Sequence, residues 1–220
     1  MPPHSRKIGD FLSFRRLDRA DNLVEVLCPG YRFTDESSER WTAFVNRVKA
    51  KNPRAKNLAA ALLKDAVSGI QLLNLPVAVV PILGSQDTSA NPTSAVCAIA
   101  SAIGELPSYH YCAGLLSKTA HRPLHNLRGA PSRDSEVEGK YKSDTFAGAG
   151  LPSVRCVLLV DDLVTRGTTM NDAARAIRAA NSNVPVFGVA LGKTERRGYW
   201  NGLIDNNHIS QKVLAAAELL

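Results

Sequence analysis

The stretch from Val157 to Met170, VLLVDDLVTRGTTM, decides how the chain is read. Four apolar residues, Val157 to Val160, form a short run rich in β-branched side chains, the pattern of a strand buried on both faces. Two adjacent carboxylates, Asp161 and Asp162, follow where the strand emerges. Thr165-Arg166-Gly167-Thr168-Thr169 then bridges to a helix over Met170–Ala180, with Asn181 as the left-handed residue past its end. Two further runs have the same buried-strand character: Val77–Val80 before it and Val184–Leu191 after it. Helical apolar spacing lies between and around them, at Trp41–Val48, Leu58–Leu73 and Ser94–Ile103. Pro53 separates the first two of these, and Asn74 and Pro76 close the second. Helices alternating with strands predict an α/β domain with a mainly parallel twisted sheet.

In open α/β sheets, ligands bind beyond the carboxyl ends of the strands, so the bridge after Val160 is the expected ligand position. Its chemistry is that of a monophosphate cradle. Backbone N–H groups at a helix start lack intrahelical acceptors and point at an anion. Gly167 permits close backbone approach, and Thr165, Thr168 and Thr169 add hydroxyl donors. The helix dipole adds about 0.3–1 kcal/mol per charge placed there. Asp161 and Asp162 suit sugar hydroxyls, which donate to carboxylates. A phosphate acceptor beside a diol acceptor describes a ribose 5-phosphate.

The same residues resemble the phosphoribosyl diphosphate (PRPP) motif of type I phosphoribosyltransferases: four apolar residues, two acids, two apolar residues and a Thr/Gly-rich loop. Val45–Val67 is similar to the segment ahead of the first core strand in the ComF-like branch of that family. Val79–Ser85 is similar to the stretch that becomes its pyrophosphate loop, and Leu115–Ala130 to its flexible loop. Two departures stand out. No N-terminal four-cysteine zinc ribbon is present, and Ser85-Gln86-Asp87-Thr88 replaces the arginine-rich signature after the pyrophosphate-loop strand.

The resemblance implies a type I phosphoribosyltransferase fold with a core over 41–203. A small hood or dimer contact would come from residues 1–40, read as irregular, and 204–220. It implies transfer of ribose 5-phosphate from PRPP to a nitrogenous acceptor with loss of pyrophosphate. The alternative is a protein of this fold that binds PRPP or a nucleotide without catalysis, in DNA uptake, phage defence or regulation. Asp161 and Asp162 would hold the ribose hydroxyls, Thr165, Arg166, Gly167, Thr168 and Thr169 the 5-phosphate, and Leu83, Gly84 and Ser85 the pyrophosphate. Mg²⁺ would bind through the substrate, with Asp161 and Asp162 as the nearest protein oxygens. Lys118 and Arg122, in the long polar stretch Leu116–Gly150, are the candidate lid cations, and Lys193 is a candidate for framing the acceptor base.

The remaining features bound this reading. The 220 residues suit one domain, and 27 basic against 20 acidic side chains give a net charge of +7, which favours anionic ligands. The four cysteines are scattered singly, so neither a zinc ribbon nor a disulfide framework is expected; buried thiols in a cytoplasmic protein are. No apolar stretch follows the polar N-terminus as a secretory signal requires, and no run is long enough to span a bilayer. Arg47, Lys49, Lys51, Arg54 and Lys56 form a cationic run, read first as a solvated helix end and second as a nucleic-acid contact. His121 and His125 flank Pro123, which argues against a helix presenting both to a metal. Gly188–Thr194 is one residue short of Walker A spacing and reads as a strand exit.

Overall fold

The computed structural model describes residues 6–15, 17, 21–70, 75–120, 135–151, 153–182 and 184–219. Its centre is built from the two runs that the sequence marks most strongly. β5 (Val77–Pro81) and β9 (Cys156–Val164) pair in parallel from Val77↔Cys156 to Pro81↔Val160. β10 (Val186–Glu195) continues the parallel ladder on the far side of β9, and β6 (Tyr109–Tyr111) lies beyond β5. β3 (Val26–Cys28) and β4 (Gly30–Phe33) hold one register against β10, Gly188↔Val26 and Gly192↔Gly30. They are interrupted at Pro29, which has no N–H to give a ladder. β1 (Arg6–Ile8) and β2 (Phe11–Phe14) finish that edge in antiparallel pairing. The sheet order is β1-β2-β3-β10-β9-β5-β6, mixed but mostly parallel.

Successive residues of β9 serve opposite faces. Cys156, Leu158 and Val160 pack with α1 (Arg40–Lys49), α2 (Pro53–Ser68), α3 (Ala95–Ile103) and α5 (Gln211–Glu218) through Phe44, Leu63, Ile99 and Leu214. Val157 and Leu159 pack with α4 (Thr168–Ala180) through Met170, Ala173 and Ile177. Helices thus cover both faces, as a central parallel sheet requires. A two-stranded ribbon, β7 (Leu116–Lys118) and β8 (Tyr141–Ser143), lies on the α4 side. Asp172 of α4 holds it there, accepting from the N–H groups of Gly139 (2.9 Å) and Tyr141 (3.0 Å). Among the described residues no helix is long and apolar enough to cross a membrane.

Four sequence expectations change. The first forty residues are not irregular: β1 to β4 extend the sheet. The second helix begins not at Leu58 but at Pro53, which separates it from α1 while serving as its first residue, where a missing N–H costs nothing, behind the cap of Asn52 Oδ1 on the Ala55 N–H (3.0 Å). Asn181 is not left-handed (φ −135°); its side chain instead accepts from the Phe146 N–H (2.7 Å) and donates to Asp144 O. Within the Leu116–Gly150 stretch, Leu116–Lys118 and Tyr141–Ser143 are strands, β7 and β8, and residues 121–134, with His121, Arg122 and His125, lie outside the described residues.

Candidate functional site

The chain leaves β5 toward β6 on one side and returns to β9 and β10 on the other. The strand order therefore reverses between β5 and β9, the position at which a crevice opens in doubly wound sheets. β5 stops at Pro81, paired to Val160, whereas β9 runs on to Val164 with β10 as its remaining partner. Asp161 and Asp162 occupy this overhang. A cleft of about 670 Å³ lies against it.

The loop after β5 brings Leu83, Gly84, Ser85 and Asp87 to the cleft, and the acid pair borders it. Gly84 leaves room for the Asp87 carboxylate: a Cβ there would meet Asp87 Oδ2 at 2.5 Å and turn that side chain aside. The loop is clamped from the ribbon: the Leu83 N–H donates to Tyr141 Oη (3.2 Å), and that hydroxyl donates to Leu83 O (3.0 Å). The Lys118 N–H donates to Thr88 O (3.1 Å), so the ribbon and the loop form one unit.

Electrostatics at the overhang are unusual. The Asp162 N–H donates to Asp161 Oδ1 (2.8 Å). Burial, and then the neighbouring Asp162 carboxylate, push the Asp161 carboxyl well above its ordinary range. Lys118 is 5% exposed, and its ammonium is the one buried side-chain nitrogen or oxygen among the described residues without a hydrogen-bond partner. It lies 5.5 Å from the centre of the Tyr141 ring. Burial lowers its pKa from 10.5 to about 8, opposed by Asp87 and Asp161. Lys118 is not itself in the wall of the cleft, but the two carboxylates that act on it, Asp87 and Asp161, are, and neither is within hydrogen-bond reach of its ammonium.

The Thr165–Thr169 turn follows directly. Gly167 adopts φ +85°, a conformation cheap only for glycine, and caps α4 without a side-chain bond, so the first N–H groups of that helix receive no capping oxygen from it. These five residues extend beyond the end of β9 and are not part of the wall of the 670 Å³ cleft. Lys193 is buried and ion-paired with Glu195, whose Oε2 also accepts from Trp200 Nε1 (3.2 Å). Tyr199 remains 76% exposed under the Arg196 guanidinium. Arg122 lies outside the described residues.

The structure adds cations that the motif reading did not place in the site: Lys49, Lys51 and Lys56 of the α1–α2 turn line the same cleft. Lys49 Nζ lies 3.8 Å from Asp162 Oδ2. For Mg²⁺, hard oxygen donors are present in Asp161, Asp162 and Asp87, which suits an ion that keeps several waters and takes few protein ligands. Among the described residues, His, Cys, Asp and Glu side chains form no three-membered cluster. Cys28, Cys97, Cys112 and Cys156 are buried and free; burial raises Cys112 and Cys156 to about 11, away from thiolate chemistry.

No protein-family model matches the chain, and no curated protein matches it.

Proposed function

We propose that the cleft binds PRPP and that the protein transfers its ribose 5-phosphate to a nitrogenous acceptor. The C1–O bond breaks with its electron pair departing on pyrophosphate, a C1–N bond forms, and the acceptor N–H proton passes to a carboxylate or water. The observation that carries this reading is the acid pair on the β9 overhang, open to a cleft where the strand order reverses.

In this reading Asp161 and Asp162 accept hydrogen bonds from the ribose hydroxyls, fixing the sugar at the strand tip. Thr165–Thr169 and the first N–H groups of α4 hold the 5-phosphate. The main chain of Leu83–Ser85, in the cleft wall, faces the departing pyrophosphate, and the buried Lys118 ammonium, near the Asp87 and Asp161 carboxylates of that wall, adds a preorganised positive charge that stabilises developing charge more than water does. Mg²⁺, when bound, neutralises part of the diphosphate charge. Catalysis is then positioning plus electrostatic stabilisation, which needs no covalent protein intermediate.

A second reading, binding of PRPP or a nucleotide without turnover, draws on Asp87: the loop after β5 presents an acid to the cleft beside Lys118. Titration calorimetry with PRPP, with and without Mg²⁺, tests what the two readings share. Asp161→Asn combined with Asp162→Asn is expected to abolish measurable affinity while leaving the thermal transition cooperative; unchanged affinity would defeat both. Pyrophosphate release across a panel of nucleobases separates them, with turnover selecting the transferase.

A further inference from the structure

The second turn of α4 carries a buried carboxylate that the cleft itself does not use. Asp172 is 5% exposed, in a helix whose neighbouring inward positions, Ala173, Ala176 and Ile177, are apolar. Aspartate is a poor helix former and a carboxylate is costly to bury, so packing does not call for it there. Its oxygens are taken up by the ribbon and by its own helix. Oδ1 accepts from the Gly139 N–H (2.9 Å) and from Arg175 Nε (2.7 Å), and Oδ2 accepts from the Tyr141 N–H (3.0 Å). Arg175 Nη2 in turn donates to Tyr141 O (3.2 Å). One face of α4 therefore grips both main-chain polar groups of Tyr141.

Tyr141 is the residue through which the ribbon reaches the cleft. Its hydroxyl serves the N–H and the carbonyl of Leu83, at the start of the loop after β5. Across the ribbon it is the register partner of Lys118, whose ammonium lies 5.5 Å from its ring centre and whose N–H donates to Thr88 O (3.1 Å) farther along the same loop. The carboxylates acting on that ammonium are Asp87 of the loop and Asp161 of β9. A second tie holds the ribbon side to the far end of α4 without involving Tyr141: Asn181 Oδ1 accepts from the Phe146 N–H (2.7 Å), and Asn181 Nδ2 donates to Asp144 O (3.1 Å). The segment from Gly139 to Phe146 thus hangs from α4 at two places, and the first of them leads through Tyr141 to Lys118 and the loop.

We propose that Asp172 is a positioning residue: lying outside the wall of the cleft, it acts through Tyr141 to set both the Leu83–Thr88 loop and the Lys118 ammonium in place. α4 starts at the Gly167 turn, one turn ahead of Asp172, so a single helix carries that turn at its tip and the support of the loop just behind it. The distance between these two parts of the site is then fixed by a rigid rod with Asp172 as its joint, and small displacements of such groups are costly for any ligand that must meet both. An amide of the same shape cannot take over. Asparagine keeps one acceptor oxygen and turns an NH₂ donor toward an N–H group that needs an acceptor.

The test reads the protein without ligand first. NMR at the Lys118 Cε follows the titration of its ammonium, and hydrogen exchange follows the Leu83 amide. In the wild type burial brings the Lys118 midpoint down to about 8. In Asp172→Asn the ribbon loosens and water reaches the ammonium, so the midpoint should rise by about one pH unit or more toward 10.5, with faster exchange at Leu83. Asn181→Ala cuts the other tie and should leave both readouts unchanged, which separates positioning from a general loosening of the ribbon. Arg175→Gln, at a side chain 42% exposed, removes two bonds of the same joint and should move the midpoint part of the way; it decides the matter if Asp172→Asn does not fold. A wild-type midpoint already near 10.5, a midpoint unmoved in Asp172→Asn and Arg175→Gln, or an equal shift in Asn181→Ala overturns the proposal. Only the last arm rests on the reading above: by calorimetry, PRPP affinity should fall roughly tenfold in Asp172→Asn and hold in Asn181→Ala. Equal affinity in Asp172→Asn and the wild type overturns the role at the cleft. A wild type that does not bind PRPP defeats that reading alone, and the titration and exchange results still decide what Asp172 does.

Discussion

Lys118→Met should make the protein more stable and less able to bind its ligand. The ammonium is 5% exposed, has no hydrogen-bond partner among the described residues, and titrates at about 8 instead of 10.5. That fall corresponds to about 3 kcal/mol of preference for the neutral amine, an upper bound on what burying the charge costs the fold. Methionine keeps the unbranched stem and removes the charge, so a gain of about 1–3 kcal/mol at neutral pH is expected, or a melting temperature higher by up to roughly 10 °C. The pH dependence identifies the cause. Below pH 8 the lysine is protonated folded and unfolded, and its burial cost is felt in full. Between 8 and 10.5 the unfolded chain binds the proton and the folded one does not, so wild-type stability from this group rises with pH. Cys112 and Cys156, raised by burial, act in the opposite direction at alkaline pH, so the useful quantity is the difference between the two proteins. Urea unfolding at pH 7 and near pH 10.5 should show the advantage of Lys118→Met narrowing. A variant less stable than the wild type at pH 7, or an advantage equal at both pH values, would refute a buried, unpaired ammonium. Lost PRPP affinity in the same variant would show that stability is sacrificed for the site.

Two further substitutions probe the scaffold. Tyr141→Phe removes the hydroxyl that serves both the N–H and the carbonyl of Leu83, and should cost about 1–3 kcal/mol; faster amide exchange at Leu83 with weaker PRPP binding is expected, and unchanged exchange would show that the clamp does not hold the loop. Asn206→Ala deletes a side-chain amide that accepts from the Tyr31 N–H (2.7 Å) and donates to Tyr31 O (2.8 Å), finishing the edge of β4; a loss of about 2–3 kcal/mol in urea unfolding is expected, with Asn206→Asp intermediate because it keeps only the acceptor.

The parts of the fold legible in the sequence are those whose pattern has one solution. Val77–Val80 and Val157–Val160 are apolar on both faces because they lie in the middle of a parallel sheet, and both are strands within a residue or so of the expected start. Ser94 announces α3 because a serine before an apolar helical pattern is a cap, and its Oγ does accept from the Cys97 N–H (3.1 Å). β1 to β4 carry no comparable signal. They are three or four residues long, and what makes them strands is their neighbours in the sheet, β10 for β3 and β4, β3 for β2 and β2 for β1, tertiary partners that local propensity does not encode.

The site divides along the same line. Two adjacent acids at the end of an apolar strand have no packing role, so their chemistry shows in the string of letters. Lys49, Lys51 and Lys56 read equally well as a solvated helix end, because a helix terminus favours cations whether or not a ligand is present. What distinguishes the alternatives is conformation. A lysine in a left-handed position beside Asn52-Pro53, a pair that restarts a helix at once, turns the α1–α2 corner tightly enough to aim its cations back at the ends of β5 and β9. Cations at helix ends become part of a site when the chain folds them over the carboxyl end of a parallel strand. Lys193, which the resemblance offers for framing the acceptor base, is buried and ion-paired with Glu195 of the same strand.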